Sequence, residues 1–575
     1  SVSSGPAARP LLFFSTGISA TQARVSIGQQ PGQSPYAWPA GAARRVSGES
    51  AKIAYSPREA TSGVPVVTRT DFDFGNGTIK RYRNGIQGPE GAASFDGPGA
   101  SDGALELRTY FGGWSGNSGS RFVGRISQIV AIIDADDETL EGMTEFLAVK
   151  TYIDALEAST DYDPTALLPA AWTWFNDPRV MHLGDDRYVV GGVSSAGSMM
   201  SAVYDYDAGS ISQAVLKKLF QQDDHNNPAF TLDAAGYILA FYTGHSLTGG
   251  FFMRRSANVG DPSAWQAEVD IGPQIAPGVG ATFSYANAIL VGSRIYLFVR
   301  ADIGGLRTLF LSWSDDGGAT WVQARQLLGA GRPYFKVRKT GANRIDLLVN
   351  SGHPEESANN STLHFYFDTS ATTFHKSDGT LIGDLDDLPF NQLTDLTTVW
   401  DAVTQNSESW VWDVTLDPVS GHPVATFATF SKPDPDHTDH FYRQGRWTGS
   451  AWVVKQICDG GGSLYPLDSV PYEYSYSGGA VSDPADPNVV ICSCEVDGDG
   501  NVVTNDHGIH HLFKAVTADG GDNWTLTQLS SGAAKHFRPF IPEGSSRVFF
   551  CRDRSPGGYI GWREYETTID SLEID

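Results

Sequence analysis

Two segments of this chain share an eight-residue pattern of the type Ser/Thr-x-Asp-x-Gly-x-x-Trp. The first runs from Ser314 to Trp321 and the second from Thr517 to Trp524. In each copy an aspartate and a glycine stand where a tight turn joins two strand-forming runs. A turn pattern that recurs about 200 residues later in a strand-rich chain indicates a repeated β architecture. We expect Asp316 and Asp519 to cap these turns, and we exclude both as acid–base catalysts.

Short strands with turns at near-regular spacing fill the chain from about Trp172 onwards. Tyr188–Gly192 and Arg294–Val299 are two examples. This spacing is typical of a sandwich, a barrel or a propeller. The repeated turn pattern is that of the Asp-box, whose tryptophan packs between the blades of a propeller. We therefore predict an all-β chain in which residues 161–575 form a β-propeller of seven blades.

The part of the chain before this region contains short strands separated by glycine, proline and serine. Tyr82–Gly85 predicts a hairpin, because Asn-Gly is the preferred two-residue turn. A strand that includes Gly124–Ser127 precedes an amphipathic helix over Glu138–Leu156. Together these features resemble the laminin-G/concanavalin-like jelly-roll family. The resemblance implies a β-sandwich domain over residues 1–160 that binds carbohydrate, acts as a spacer or promotes trimerisation.

Charge and cysteine content limit the partners of the chain. The formal net charge is −25, from 41 Lys+Arg and 66 Asp+Glu, which argues against nucleic acid as a partner. An anionic polysaccharide remains compatible, because a local arginine pocket binds one inside a negative surface. No apolar run reaches the length of a membrane span, so we predict no membrane insertion. The four cysteines are expected to be buried thiols, with one disulfide as the alternative, and nothing in the sequence fixes the oligomeric state.

Two histidines stand at the ends of strand-like runs. His225 lies in the polar segment Asp223–Pro228, and His245 follows after the length of one hairpin. Tyr285 comes next, and Arg300 ends the strand that follows it. Imidazole and phenol groups transfer protons once their pKa values are tuned by neighbours, and arginine binds carboxylates with two hydrogen bonds. For each of the four, an ordinary structural role in a loop or strand is the alternative.

In order and spacing these four residues resemble the active site of BNR-repeat propellers of the ulvan lyase type. Those proteins are polysaccharide lyases that cut beside uronic acids, and the resemblance covers most of residues 172–575. It implies β-elimination, in which Arg300 neutralises the C5 carboxylate and Tyr285 and His225 transfer protons. His245 either shares the proton transfer or orients the substrate. The histidines are thus expected to be proton carriers and substrate ligands, and the chemistry requires no cofactor.

Further residues are expected to contact substrate or to bind a metal ion. Asn226 and Asn227 either bind sugar hydroxyls or cap their turn, and segments that match the family suggest further subsites at Arg332, Tyr334 and His353. Asp436–His440 has a metal-like composition. Some relatives carry a structural divalent cation. A similar ion is therefore one alternative for this segment, and the sequence does not identify its ligands.

The expected substrate is a uronic-acid-containing polysaccharide, such as ulvan or a rhamnose–glucuronate exopolysaccharide or capsule. A sialidase-like hydrolase is one alternative, but it requires an arginine triad, a tyrosine nucleophile with a glutamate, and an acidic proton donor. The sequence offers no convincing arginine trio, and that scheme has no role for paired histidines. A non-catalytic glycan-binding propeller of an adhesin or phage appendage is the second alternative. The expected location is extracellular, as a secreted bacterial enzyme after signal-peptide removal, or in a phage tail.

Overall fold

A computed structural model describes residues 167–574 except 246–249, 279, 330, 358, 432–438, 466–472, 498–499, 504–507 and 555–558. Before residue 167 it describes the backbone of eight strands. The chain divides into two compact units, Ser1–Asp163 and Pro164–Asp575.

The described part of the N-terminal unit consists of two antiparallel sheets. Its strands are β1 (Arg9–Ser15), β2 (Arg24–Gln29), β3 (Pro39–Arg44), β4 (Lys52–Tyr55), β5 (Thr68–Asp73), β6 (Thr78–Arg83), β7 (Ile86–Ser94) and β8 (Tyr110–Phe111). The sheet orders are β4-β3-β2-β1-β8 and β5-β6-β7. Arg83 pairs with Ile86 across the predicted hairpin. The predicted Gly124–Ser127 strand and Glu138–Leu156 helix lie outside the described residues, so the laminin-G-like fold stays a prediction.

The C-terminal unit is a seven-bladed β-propeller, which confirms the predicted all-β fold. Blade 1 contains β9 (Val180–Gly184), β10 (Arg187–Val193), β11 (Met199–Asp205) and β12 (Ser210–Lys217). Blade 2 contains β13 (Ala229–Leu232), β14 (Tyr237–Thr243), β15 (Phe251–Val259), β16 (Asp261–Trp265) and β17 (Val269–Asp270). Blade 3 contains β18 (Ala281–Val291), β19 (Arg294–Ile303), β20 (Leu306–Ser314) and β21 (Arg325–Gln326).

Four further blades follow in chain order. Blade 4 contains β22 (Tyr334–Gly341), β23 (Arg344–Asn350), β24 (Thr362–Asp368), β25 (Thr373–His375), β26 (Leu381–Asp384) and β27 (Thr397–Trp400). Blade 5 contains β28 (Glu408–Leu416), β29 (Pro423–Phe430), β30 (His440–Trp447) and β31 (Trp452–Gly461). Blade 6 contains β32 (Ala480–Ser482), β33 (Val489–Val496), β34 (Ile509–Val516) and β35 (Thr525–Gln528). Blade 7 contains β36 (His536–Phe540), β37 (Arg547–Asp553), β40 (Thr567–Glu573) and an inserted hairpin of β38 (Tyr559–Gly561) and β39 (Glu564–Tyr565).

Helical structure in the described part is limited to single turns. These are a 3-10 turn at Asp224–Asn226 and short helices at Gly272–Ile275, Gln392–Asp395 and Ala402–Gln405. The 3-10 turn joins blade 1 to blade 2, and it carries the first of the predicted site histidines.

The first and last segments of the propeller unit are joined by hydrogen bonds. Ile569, in β40 of blade 7, donates its backbone N–H to the carbonyl of Leu168 at 2.9 Å. The Tyr204 hydroxyl of blade 1 accepts from the Leu168 N–H at 2.7 Å and donates to the Ile569 carbonyl at 2.6 Å. The segment before blade 1 therefore extends the sheet of blade 7, and the ring of blades closes without an open edge at this point.

Burial varies systematically across a blade. Strand β29 is buried along its whole length, whereas all four residues of β35 are exposed. Strands covered on both faces by neighbouring blades read as continuous apolar runs, and outer strands tolerate polar residues. Aromatic rings from separate segments form part of the main core, and Trp174 stacks on Trp412 with ring centroids 4.1 Å apart.

The two Ser/Thr-x-Asp-x-Gly-x-x-Trp segments form turns with the same hydrogen bonds. Asp316 accepts from the Ser314 hydroxyl at 2.8 Å and from the Thr320 N–H at 2.8 Å. Asp519 accepts from Thr517 and Asn523 at 2.8 and 2.9 Å. In both copies the tryptophan Nε1 donates to the glycine carbonyl at 3.1 Å. Both aspartates thus serve as turn caps.

All four cysteines are buried free thiols, as expected. The sulfur atoms of Cys458 and Cys494 lie 3.8 Å apart, well beyond the length of a disulfide bond. No helix in the described part of the chain has the length and hydropathy needed to span a membrane.

Candidate functional site

One carboxylate holds the two predicted histidines together. Asp223 caps the 3-10 turn that carries His225, and its Oδ1 lies 2.7 Å from His225 Nδ1. Its other oxygen, Oδ2, lies 3.0 Å from His245 Nδ1. The two imidazole rings stack with centroids 4.4 Å apart. The structure therefore brings together the two histidines that the sequence places one hairpin apart.

This arrangement places a proton on the Nδ1 nitrogen of both rings. Burial alone would raise the pKa of Asp223, but the facing His245 and His225 outweigh burial and lower it. Burial lowers the pKa of His245 to about 4, against the opposing effect of Asp223. An ionised Asp223 accepts one hydrogen bond from the Nδ1–H of each ring, so the unprotonated nitrogen of the neutral His245 ring is Nε2. His225 Nε2 lies within hydrogen-bond distance of the Tyr476 hydroxyl, at 3.2 Å.

Tyr285 reaches the histidines through an irregularity in strand β18. The β18–β19 register shifts between Ser284 and Asn287, and Tyr285 within this bulge has φ 62°. Bulges and left-handed backbone of this kind redirect side chains and cluster at functional sites. The Tyr285 ring centroid lies 5.8 Å from that of His225 and 6.3 Å from that of His245.

The Tyr285 hydroxyl is buried and has no hydrogen-bond partner of standard geometry among the described residues. Burial raises the pKa of this phenol well above its ordinary value, and the nearby Arg300 only partly opposes the shift. Tyr285 is therefore a neutral phenol, and it can donate a proton.

Arg300 lies deep in the same site, and no carboxylate among the described residues pairs with it. It is 3% exposed, and its guanidinium carbon lies 4.2 Å from the Tyr285 ring centroid and 4.5 Å from that of Tyr334. Its Nη1 is buried with no hydrogen-bond acceptor among the described residues. A buried guanidinium without an anion is costly unless a ligand supplies one. Arg300 thus has an unused hydrogen-bond donor that an anionic ligand could accept from.

The other predicted contacts on blade 4 lie around Arg300. Tyr334 is 2% exposed, and its ring centroid lies 5.6 Å from that of Tyr285. It therefore packs against Tyr285 within the main core. His353 Nδ1 accepts from the Glu355 N–H at 3.2 Å. Burial and the neighbouring Arg332 and Arg300 lower the pKa of His353 to about 2, so its ring is neutral. Arg332 has φ 54° and forms an ion pair with the exposed Glu356.

The two predicted asparagines differ in how the fold uses them. Asn227 Oδ1 accepts from the Thr173 N–H at 3.0 Å and from Asn176 Nδ2 at 3.2 Å. Asn226 Nδ2 donates to Gln221 Oε1 at 2.9 Å, while its Oδ1 is buried without a partner in the described part. Of the two alternatives for Asn227, these bonds favour the structural one.

The structure adds residues to the site that sequence reasoning missed. Tyr476 comes from the segment before blade 6, and Trp562 from the hairpin inserted in blade 7; the Trp562 ring lies 5.3 and 5.4 Å from the two imidazoles. Glu473 is largely buried near His225. Burial, reinforced by Glu355, raises the pKa of Glu473 to about 7. Glu355 follows His353 closely in sequence, and this proximity could have identified it from the sequence. Tyr476 and Trp562 are far from His225 along the chain, so no local pattern indicated them.

Two groups of side chains carry donor atoms suited to a metal ion. Donor atoms of Asp223, His225 and His245 lie within 4.8 Å of one another, but their mutual hydrogen bonds already account for this arrangement. In the predicted Asp436–His440 segment, residues 436–438 lie outside the described residues. His440 is buried with both ring nitrogens unpartnered among described residues, and His510 shares this property. Unpartnered buried imidazoles fit a metal ion, and the structural cation stays a prediction.

A family model described as a BNR repeat-containing family member matches residues 160–459. This match spans more than half of the chain. The chain belongs to the BNR repeat-containing family. No curated protein matches this BNR chain.

Solved structures similar to this BNR chain include carbohydrate-active propellers. An ulvan lyase of polysaccharide lyase family PL25, bound to -[GlcA(1-4)Rha3S]-, is 17% identical, with a TM-score of 0.52. The match covers 71% of this chain and 94% of the lyase. The NanB sialidase from Streptococcus pneumoniae is 11% identical with a TM-score of 0.34, over 99% of this chain and 93% of the sialidase. The likeness to the ulvan lyase shows that this BNR chain shares its fold.

Proposed function

We propose that this protein is a polysaccharide lyase that cleaves a uronic-acid-containing polysaccharide by β-elimination. The observation that carries the proposal is the buried Arg300, which has no carboxylate partner in the described structure and packs on Tyr285. A uronate carboxylate would supply the missing anion. Once its charge is neutralised, the adjacent C5–H becomes acidic enough for a neutral base to remove the proton.

The two proton transfers follow from the protonation states in the site. A histidine Nε2 takes the proton from C5, and the carboxylate bound by Arg300 stabilises the enolate-like anion. His245 suits this role because its Nε2 has no partner among the described residues, whereas His225 Nε2 faces Tyr476. The electron pair then forms the C4–C5 double bond as the C4–O4 bond breaks. The neutral Tyr285 phenol donates its proton to the departing O4, and the histidine proton returns to the phenol through the site.

The substrate class is supported by chemistry and by fold. Arginine matches a carboxylate with two parallel hydrogen bonds, and the ulvan lyase with the same fold binds an oligosaccharide that contains GlcA. Proton chemistry by a histidine pair also distinguishes this site from a sialidase, which instead uses a tyrosine nucleophile and three arginines around a sialic acid.

A panel of uronate polysaccharides tests the proposal. Each polymer is incubated with the protein, and both ultraviolet absorbance of a C4–C5 unsaturated end and chain length are followed. We expect at least one rhamnose–glucuronate polymer to shorten with a stoichiometric rise in absorbance. Shortening without absorbance would identify a hydrolase, and binding without shortening would identify a glycan-binding propeller. Arg552→Gln, a change at a half-exposed arginine paired with Asp570 away from the site, is the control.

A further inference from the structure

The hairpin inserted in blade 7 brings a second arginine to the histidine pair. Gly561 pairs with Glu564, so Trp562 and Arg563 form the two-residue turn between β38 and β39. This turn lies far from the histidines in sequence, at the other end of the propeller unit. None of the elimination steps uses it.

Hydrogen bonds hold the turn against the site. The Asp224 N–H, in the 3-10 turn, donates to the Trp562 carbonyl at 2.8 Å. The Trp562 N–H donates to the Tyr465 hydroxyl at 3.2 Å. The Trp562 ring also meets His225 and His245 edge to face. Because both backbone groups of Trp562 are bonded to other parts of the propeller, the turn has a fixed position beside the histidines.

The Arg563 side chain is positioned by an aromatic ring, but its hydrogen-bond donors are not all used. Its guanidinium carbon lies 4.0 Å from the Trp562 ring centroid, a cation–π contact. Its Nε lies 3.6 Å from Asp223 Oδ2, which is longer than a hydrogen bond. That oxygen already accepts from His245. The Arg563 side chain is 44% exposed, so its N–H donors remain available to a ligand.

We propose that Arg563, supported by Trp562, forms an anion subsite for a sugar next to the uronate. The inference rests on the proposed lyase function and specifies its substrate. Arg300 packs on Tyr285 and Arg563 packs on Trp562, so the two cations rest on different aromatic rings beside the histidine pair. One uronate carboxylate engages Arg300. Arg563 then binds a separate anionic group, either a sulfate ester or a carboxylate on the neighbouring sugar, and the substrate is a polysaccharide with two charged positions per repeat.

Binding measurements separate this subsite from catalysis. Calorimetry uses the Tyr285→Phe protein, which is expected to be inactive, with three probes of equal length. These are the -[GlcA(1-4)Rha3S]- tetrasaccharide, its desulfated form and an oligoglucuronate. Adding Arg563→Gln should weaken binding of the sulfated probe about tenfold and of the desulfated probe less than about twofold, as expected for loss of a charge-assisted hydrogen bond. Loss for the oligoglucuronate instead of the sulfated probe would assign the carboxylate as the ligand.

Two controls sharpen the result. Arg552→Gln changes an arginine of similar exposure on the same blade and should alter no affinity. Arg563→Lys should restore part of the affinity for the charged probe, because the charge returns without the two-donor geometry.

The subsite is overturned if Arg563→Gln weakens all three probes equally or none of them, or if the Tyr285→Phe protein binds none of the three. The proposed function fails separately. If the unmodified protein forms no unsaturated product from any polymer while Arg563→Gln still selectively weakens a charged probe, the lyase proposal falls and the subsite stands.

Discussion

Asp223 binds His245 through Oδ2 at 3.0 Å while its Oδ1 binds His225, so one buried carboxylate sets the tautomer of both rings. The position of the proton on each imidazole therefore depends on the same carboxylate. The base and its neighbour therefore behave as one unit, and Asp223 acts as a positioning residue for both.

Asp223→Asn should lower kcat about 10²-fold to 10⁴-fold with a smaller effect on KM. An amide offers one acceptor and one N–H₂ donor, so at least one histidine must move its proton to Nε2 and lose its basic nitrogen. Initial rates on the cleaved polymer across pH measure the effect, and a structural role alone would not alter the pH profile. Asp233→Asn is the matched control, because Asp233 is equally buried and binds Arg255 instead. A similar fall in kcat for Asp233→Asn would contradict the assignment.

Tyr285→Phe should abolish activity while leaving the free energy of unfolding within about 0.5 kcal/mol of the parent. The hydroxyl has no hydrogen-bond partner among the described residues, so its removal breaks no bond of the fold. Denaturant unfolding and polymer cleavage are compared in the same preparations. Tyr204→Phe should show the reverse, a loss of about 1–3 kcal/mol with activity retained, because its hydroxyl bonds Leu168 and Ile569. Retained cleavage by Tyr285→Phe would remove the phenol from the mechanism.

Arg300→Met should reduce kcat/KM about 10³-fold, since the carboxylate loses its counter-charge. The free energy of unfolding should change by less than about 1 kcal/mol, because the unpaired buried cation is itself costly. Thermal unfolding and rates measured together test this separation. Arg538→Met provides the contrast. Arg538 is buried against Asp224 at 2.5 Å, and stranding that carboxylate should cost about 3–5 kcal/mol. Equal destabilisation by both changes would argue against an unpaired Arg300.

Glu473→Gln should stabilise the protein at high pH and not at low pH. Burial raises the pKa of Glu473 from its ordinary 4.5 to about 7, so the folded state holds a proton that the unfolded state has released between these values. Stability of the parent therefore falls as pH rises through this window. The neutral amide removes the effect, and a gain of about 3 kcal/mol at pH 8 follows from the difference of about 2.5 pKa units at 1.36 kcal/mol each.

Urea unfolding of Glu473→Gln at pH 4, 6 and 8 checks the sign. Glu268→Gln, which removes the partner of Lys217 at 2.6 Å, should destabilise the protein slightly or leave it unchanged at pH 8. A gain for Glu473→Gln that is the same at all three pH values would falsify the interpretation.

The fold could be predicted from the sequence because a turn pattern and short strands recur along the chain. The turns capped by Asp316 and Asp519 depend on residues within a single short segment, and local hydrogen bonds of this kind leave a sequence pattern. The strand alternation of the blades is local as well. His225, His245, Tyr285 and Arg300 were named from their resemblance to a family pattern of fixed intervals, and the structure brings these four side chains together.

The sequence by itself thus determined an all-β propeller and pointed to four side chains that the fold brings together. Only the tertiary structure decided which atoms meet: that Asp223 joins both histidines, that a bulge in β18 turns Tyr285 towards Arg300, and that Asn227 accepts from Thr173. It also brought Tyr476 and Trp562 to the histidines from blades far along the chain. The physical reason is ring closure. Residues that are distant in sequence become neighbours where the blades converge, and no local pattern records contacts that form only when the last blade meets the first.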